Sequence, residues 1–332
     1  MDEVTGRLGR RIALGLAAGF IVLLVLSLVA DLGDVADALA DFHLRYIPAI
    51  LGLTLLNYLL RFAKWHYYLR ILDIRPGLRD STLVFASGLS MSITPAKLGE
   101  VLKAYLLHRL HGTDISRTVP IVLAERLTDI FGLLALATLS FSALRLGSAV
   151  LLAVVVALAG LLILVQSRAA VYWLLDRLER IPRCARLGNS VRQGYEAAYL
   201  LFRPVSLAVA IPLSIVSWGF ECVALYYVLQ GFGVPGSLAL SSFAFSFSSL
   251  AGAVSMVPGG LGVAEGSMAG LLVLGHIPAA QAAGATAIIR LGTLWFGVAL
   301  GVVALAFTTR RTARANTSDP GESSESGFQP GA

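Results

Sequence analysis

Apolar runs separated by short polar stretches account for almost the whole chain. Runs at residues 12–30, 46–69, 118–140, 148–165, 205–229 and 281–307 are each long enough to cross a hydrocarbon core as a helix. Two other apolar segments meet a helix breaker and then resume for too few residues to cross alone. In the first, residues 82–93 lead through Ser92–Glu100 (SITPAKLGE) into residues 98–107. In the second, residues 238–257 lead through Ser255–Glu265 (SMVPGGLGVAE) into residues 263–274. Proline removes a backbone donor and glycine adds freedom, so a helix stops at each break. The pattern predicts an all-α polytopic membrane protein with about six spanning helices and two re-entrant broken-helix pairs.

The two breaks match. Aligning Pro95 with Pro258 also aligns Ser92 with Ser255, Leu98 with Leu261 and Gly99 with Gly262, while Glu100 and Glu265 fall two positions apart. Arg126-Leu127 and Arg290-Leu291 follow the prolines by 31 and 32 residues, deep in the next apolar segment. Interrupted apolar segments in corresponding positions of two halves point to a transporter's binding site.

Charge sets the direction of each pair. The first pair enters and leaves through basic sequence, the second through uncharged loops, so they dip from opposite sides as an inverted repeat. On this path 22 of the 26 Lys and Arg fall in cytoplasmic segments or in the first pair. That predicts a cell membrane protein with both termini cytoplasmic. Residues 1–11 form a basic terminus, and the transmembrane domain spans 12–308, with halves at about 46–140 and 205–308. A cytoplasmic linker, 167–203, places Leu174, Leu175, Leu178 and Ile181 at the spacing of a surface helix on anionic lipid. Residues 309–332 form a polar tail, read as disordered. Residues 12–30 read as an uncleaved anchor, with a signal peptide as the alternative for residues 1–30. Four aspartates between Asp31 and Asp41 suit an external loop, and Arg61 and Lys64 suit snorkelling at the inner interface.

Composition agrees. The chain is 57% hydrophobic and 14% charged, with mean hydropathy +0.78, and leaves no stretch for a soluble domain. The net charge of +6 follows the positive-inside bias, so no nucleic-acid partner is expected. Cys184 and Cys222 make no CxxC pair, no lysine precedes Ser or Thr, and no His precedes Glu. Metal sites, cofactors and direct use of a nucleotide are therefore not expected.

Arg126 and Arg290 are the leading candidates. An arginine in a membrane helix costs roughly 2.5–3.5 kcal/mol even on insertion scales, so it needs a partner or a polar cavity. Their guanidinium groups suit a lipid phosphate; alternatively they pair with Glu100, Glu125, Asp129 or Glu265. Glu100 and Glu265, in the first turn after each break, either cap the helix or meet a cationic head group. The half-helix starts, with Pro95, Leu98 and Gly99 in one break and Pro258, Gly259, Gly260, Leu261 and Gly262 in the other, offer N–H groups to an anion. Lys97 is either an entry contact for phosphate or a snorkelling lysine. Asp129 joins this substrate-binding set chiefly as an arginine's partner, and Glu221 is a candidate for the cavity wall.

At PAKLGE with AERLTD, and at PGGLGVAE with IIRLG, the chain resembles the flippase-like transmembrane region of lysylphosphatidylglycerol synthase, the bacterial multiple-peptide-resistance protein, over residues 10–308. The resemblance implies a domain that moves aminoacylated phosphatidylglycerol or a related anionic lipid between leaflets, with Glu100, Arg126, Glu265 and Arg290 carried over. No counterpart of the synthase's soluble transferase domain is expected here. The expectation is therefore a lipid flippase rather than an enzyme, served by a separate synthase or transferase; a homodimer stays open. The alternatives are a membrane transferase acting on lipid-linked sugars or aminoacyl lipids, and a scaffold for a partner synthase that transports nothing.

Overall fold

Helix boundaries follow the breakers. The computed structural model describes residues 32–94, 99–143, 160, 166–168, 171–172, 177 and 188–317, and among the described residues there is no strand. In order the helices are α1 (Leu32–Ala40), α2 (Ile47–Ile71), α3 (Leu78–Leu89), α4 (Leu102–His111), α5 (Ile115–Ala143), α6 (Gly188–Leu201), α7 (Pro204–Gly231), α8 (Leu238–Val254), α9 (Val263–Leu274), α10 (Ala279–Arg290) and α11 (Phe296–Thr317). A π-helical turn, Leu291–Trp295, joins α10 to α11. Pro48 and Pro204 stand in the first turns of α2 and α7, where a missing N–H costs nothing. Gly112, at φ +67°, ends α4 in the left-handed region.

Leu44–Ile71, Pro204–Gly231 and Ala279–Arg311 are long and apolar enough to cross a membrane. By contrast α3 and α4, with 12 and 10 residues, reach about 18 and 15 Å, roughly half of a hydrocarbon core. The expected spans at 12–30 and 148–165 and the surface helix at Leu174–Ile181 lie outside the described residues.

Two expectations change. Within the stretch read as an external loop, Leu32–Ala40 form helix α1: Val35 and Ala38 share a face that packs on α10, and Asp34 sits favourably in the first turn. The tail begins later than residue 309, because α11 continues to Thr317.

The halves are interlocked. Helices α2 and α7 pack against each other, α3 packs on α11, and α8 packs on α5. Each short helix before a break thus lies on the long helix after the other break. Apolar burial drives no association in lipid, so close packing of small residues carries these crossings. A Cβ on Gly132 would come within 2.9 Å of the backbone of Ser214, and one on Gly301 would overlap the backbone of Ser90. Ile93, Leu261, Leu294 and Val298 form a small cluster that ties both breaks to α11.

Gly301→Ala should therefore force α3 from α11 and cost about 1–3 kcal/mol. Gly52→Ala, with nothing within 4 Å of the added atom, should be neutral or stabilising. Thermal unfolding of both variants in one detergent checks the contrast; equal midpoints would mean that the crossing is loose.

Candidate functional site

The second break is shaped by glycine. Gly259, Gly260 and Gly262 have φ of +65°, +66° and +84°, a region that side chains rarely enter. A Cβ on Gly260 would also come within 3.0 Å of the Gly252 Cα, so α8 and the break touch backbone to backbone. Helix α9 then starts, and Glu265 Oε2 accepts the Gly262 N–H at 2.7 Å. The other carboxylate oxygen, Oε1, accepts from Arg290 Nε at 2.6 Å, while Arg290 Nη2 donates to the Gly259 carbonyl at 2.8 Å. Arg290 thereby staples α10 to the break.

The first break has the same pair in a larger network. Arg126 Nη2 donates to Glu100 Oε2 at 2.9 Å, and Lys103 Nζ lies 3.2 Å from the same oxygen. Lys103 also meets Glu125 at 2.5 Å, with its ammonium 4.8 Å from the Trp65 ring centre and 5.5 Å from that of Phe85. Lys64 meets Asp129 at 2.5 Å and donates to Ser214 and Thr128 at 2.7 and 3.2 Å. Arg61 Nη2 approaches Glu100 Oε1 at 3.6 Å, and Arg126 approaches Asp129 at the same distance. Four cations and three carboxylates from α2, α4, α5 and the turn before α4 thus share one buried cluster.

A cavity of about 350 Å³ opens between the halves, with Arg61, Arg126, Asp129, Glu221 and Arg290 on its wall. The pairs are polarised toward it. The Arg126 and Arg290 side chains are 18% and 16% exposed, whereas their carboxylate partners Glu100 and Glu265 are 2% and 5% exposed. Both cationic ends face the space and both anionic ends lie behind them. Glu221, on α7, accepts from Thr54 Oγ1 at 3.3 Å.

Several sequence-based expectations are corrected. Four of the break amides expected to be open to an anion are used within the chain: Gly99 donates to Thr94 Oγ1 at 2.7 Å, Gly260 to the Val257 carbonyl, Leu261 to the Pro258 carbonyl, and Gly262 to Glu265. Tight turns and a reaching side chain satisfy them within the chain. Pro95, Lys97 and Leu98 lie outside the described residues. Arg61 and Lys64 do not snorkel; at 4% and 1% exposure they are interior partners of Glu100 and Asp129. The signal for them was present, since Arg61, Lys64, Trp65 and Tyr68 recur at the spacing of one helix face. Charge counting had assigned that face to the interface.

These elements define a polytopic helical membrane protein built from two interlocked broken-helix halves around a charged cavity. The chain belongs to the family described as the lysylphosphatidylglycerol synthase TM region, whose pattern matches residues 12–301. Similar proteins include two from Methanothermobacter thermautotrophicus, each described as a UPF0104 membrane protein. One is 29% identical over 315 residues, covering 85% of this chain and 90% of the relative; the other is 26% identical over 325 residues, covering 89% and 95%. A UPF0104 membrane protein of Methanocaldococcus jannaschii is 25% identical over 199 residues, covering 56% of this chain and 80% of the relative.

Breaking one buried pair should cost more than removing it whole. Asp129→Asn leaves the Lys64 ammonium buried without its carboxylate and should destabilise by about 3–5 kcal/mol. Lys64→Met combined with Asp129→Leu should recover most of that loss. Unfolding midpoints of the three proteins check it; a double variant no better than the single one would contradict the pairing.

Proposed function

We propose that this protein moves a lipid with an anionic, phosphate-containing head group between the leaflets of the cell membrane. The observation that carries the reading is the polarity of the two buried pairs, which turns the Arg126 and Arg290 guanidinium groups toward one cavity from the two halves. Guanidinium presents a planar fork of donors that matches phosphate oxygens, and a low-dielectric surrounding strengthens the attraction. The head group would sit between the arginines while the acyl chains stay in the bilayer. An aminoacylated head group adds an ammonium, for which Glu221 stands on the wall. Because α3 lies on α11 and α8 on α5, in this reading a shift of one break would carry the other half's long helix with it. That coupling suits a cavity that opens to one leaflet at a time.

In this reading the chain is a transporter without catalytic residues. A separate synthase or transferase supplies its lipid, and the basic segments hold both termini in the cytoplasm. Glu100 and Glu265 act through the arginines they orient.

The test is head-group translocation in proteoliposomes, using labelled phosphatidylglycerol, its aminoacyl form and a polyprenyl phosphate. One of these should move, and replacing both Arg126 and Arg290 by Gln should slow it at least about tenfold while the protein stays folded. A folded double variant that moves lipid at the wild-type rate would overturn the reading.

A further inference from the structure

The two halves differ by one residue at the cavity. In the first half, Gly132 follows Arg126 by six residues inside the unbroken helix α5 and packs on α7 at Ser214. In the second, Gly297 follows Arg290 by seven residues and packs on α2 at Tyr58, where a Cβ would overlap the tyrosine hydroxyl. The extra residue is accommodated by the π-helical turn Leu291–Trp295, which has no counterpart after Arg126. One added residue turns a helix by about 100°, so the turn decides which way Arg290 points relative to α11.

Something must hold a turn that the α-helix outcompetes elsewhere. The Tyr58 hydroxyl reaches from the first half and donates to the Thr293 carbonyl at 2.5 Å, and its ring stacks on Phe296 with centroids 6.4 Å apart. Thr293 Oγ1 also donates back to the Ile289 carbonyl at 2.7 Å, a contact that bends helices. Tyr58, Thr293, Gly297 and Arg290 all line the same cavity.

We infer that Tyr58 is a positioning residue for Arg290, acting through the π-helical turn it pins. The second half is then the adjustable one: Arg290 bonds to Glu265 and to the glycine break, and both bonds depend on the phase of α10 relative to α11. The first-half arginine is fixed on an unbroken helix by the lysine and carboxylate network. The consequence for lipid movement rests on the function proposed above; the positional claim stands apart from it.

The test uses the full chain in lipid nanodiscs with ¹⁵N-labelled arginine. The Arg290 Nε–H resonance is assigned by its loss in Arg290→Lys, and its bond to Glu265 should place it downfield and slow its exchange with solvent. Tyr58→Phe keeps the ring on Phe296 and removes only the hydroxyl. It should move that resonance upfield and speed its hydrogen exchange by about tenfold, leaving the Arg126 resonance unchanged. An unaltered Arg290 resonance overturns the inference. Should Tyr58→Phe fail to fold, Gly297→Ala crowds the same hydroxyl from the other side and is expected to give the same shift. In matched proteoliposomes Tyr58→Phe should slow translocation about fivefold or more. A wild-type rate with a displaced Arg290 would overturn the link between its position and transport. A wild-type protein that moves no lipid would sink the transport reading, and the Arg290 resonance alone would then decide the positional claim.

Discussion

An arginine deep in a membrane protein needs a partner or a polar cavity, and much of this structure follows from supplying a carboxylate to two of them. Arg126 and Arg290 lie within apolar sequence, where an isolated charge is costly. Each is met by a glutamate placed just after a helix break, Glu100 at 2.9 Å and Glu265 at 2.6 Å. A continuous apolar helix has no natural place for such an acid. A break supplies one: Glu265 sits in the first turn of α9, where the helix start favours negative charge, and Glu100 in the short turn that leads into α4. The breaks, their glycines and the short helices around them can thus be read as the means of delivering two carboxylates to two arginines.

The pairs are alike, but their settings are not. Around Arg126, three more cations and two more carboxylates close a network drawn from α2, α4 and α5, with Lys103 caged by Trp65 and Phe85. Such a cluster is expensive to assemble and far more expensive to leave half-made, which makes it rigid in composition and geometry. Arg290 pairs with the Glu265 carboxylate and a backbone carbonyl, beside three glycines with positive φ and a π-helical turn. One half is built to stay and the other retains freedom, while the crossed packing of α3 on α11 and α8 on α5 makes each feel the other.

The breaks and the arginines that follow them were legible in the sequence because proline, glycine and a lone charge are conspicuous against apolar background. Helix α9 runs over residues 263–274, where the apolar pattern placed it. Arg61, Lys64 and Lys103 were not legible as interior residues. Near the end of a span, a cation that snorkels and a cation that is buried look identical in one dimension; only the facing carboxylates, Glu100, Glu125 and Asp129, distinguish them. The use of the break amides was hidden for a similar reason. An N–H at a helix start is open to an anion only if no nearby acceptor reaches it, and Thr94 and Glu265 do reach. The one-residue difference between the halves after the arginines is present in the sequence as spacings of six and seven from arginine to glycine. Its physical form, a π-helical turn under Tyr58, required the structure. The helix at Leu32–Ala40 was missed because four aspartates outweighed the Val35 and Ala38 face that docks on α10.

The central claim is that the two arginines hold one lipid phosphate between the halves. Native mass spectrometry of the protein released from membranes of mixed phospholipid composition tests this most directly. The account predicts one anionic phospholipid retained per chain, lost when Arg126 and Arg290 are both replaced by Gln, and kept when the exposed Arg75 is replaced instead. Equal lipid retention by the double variant and the wild type would contradict it.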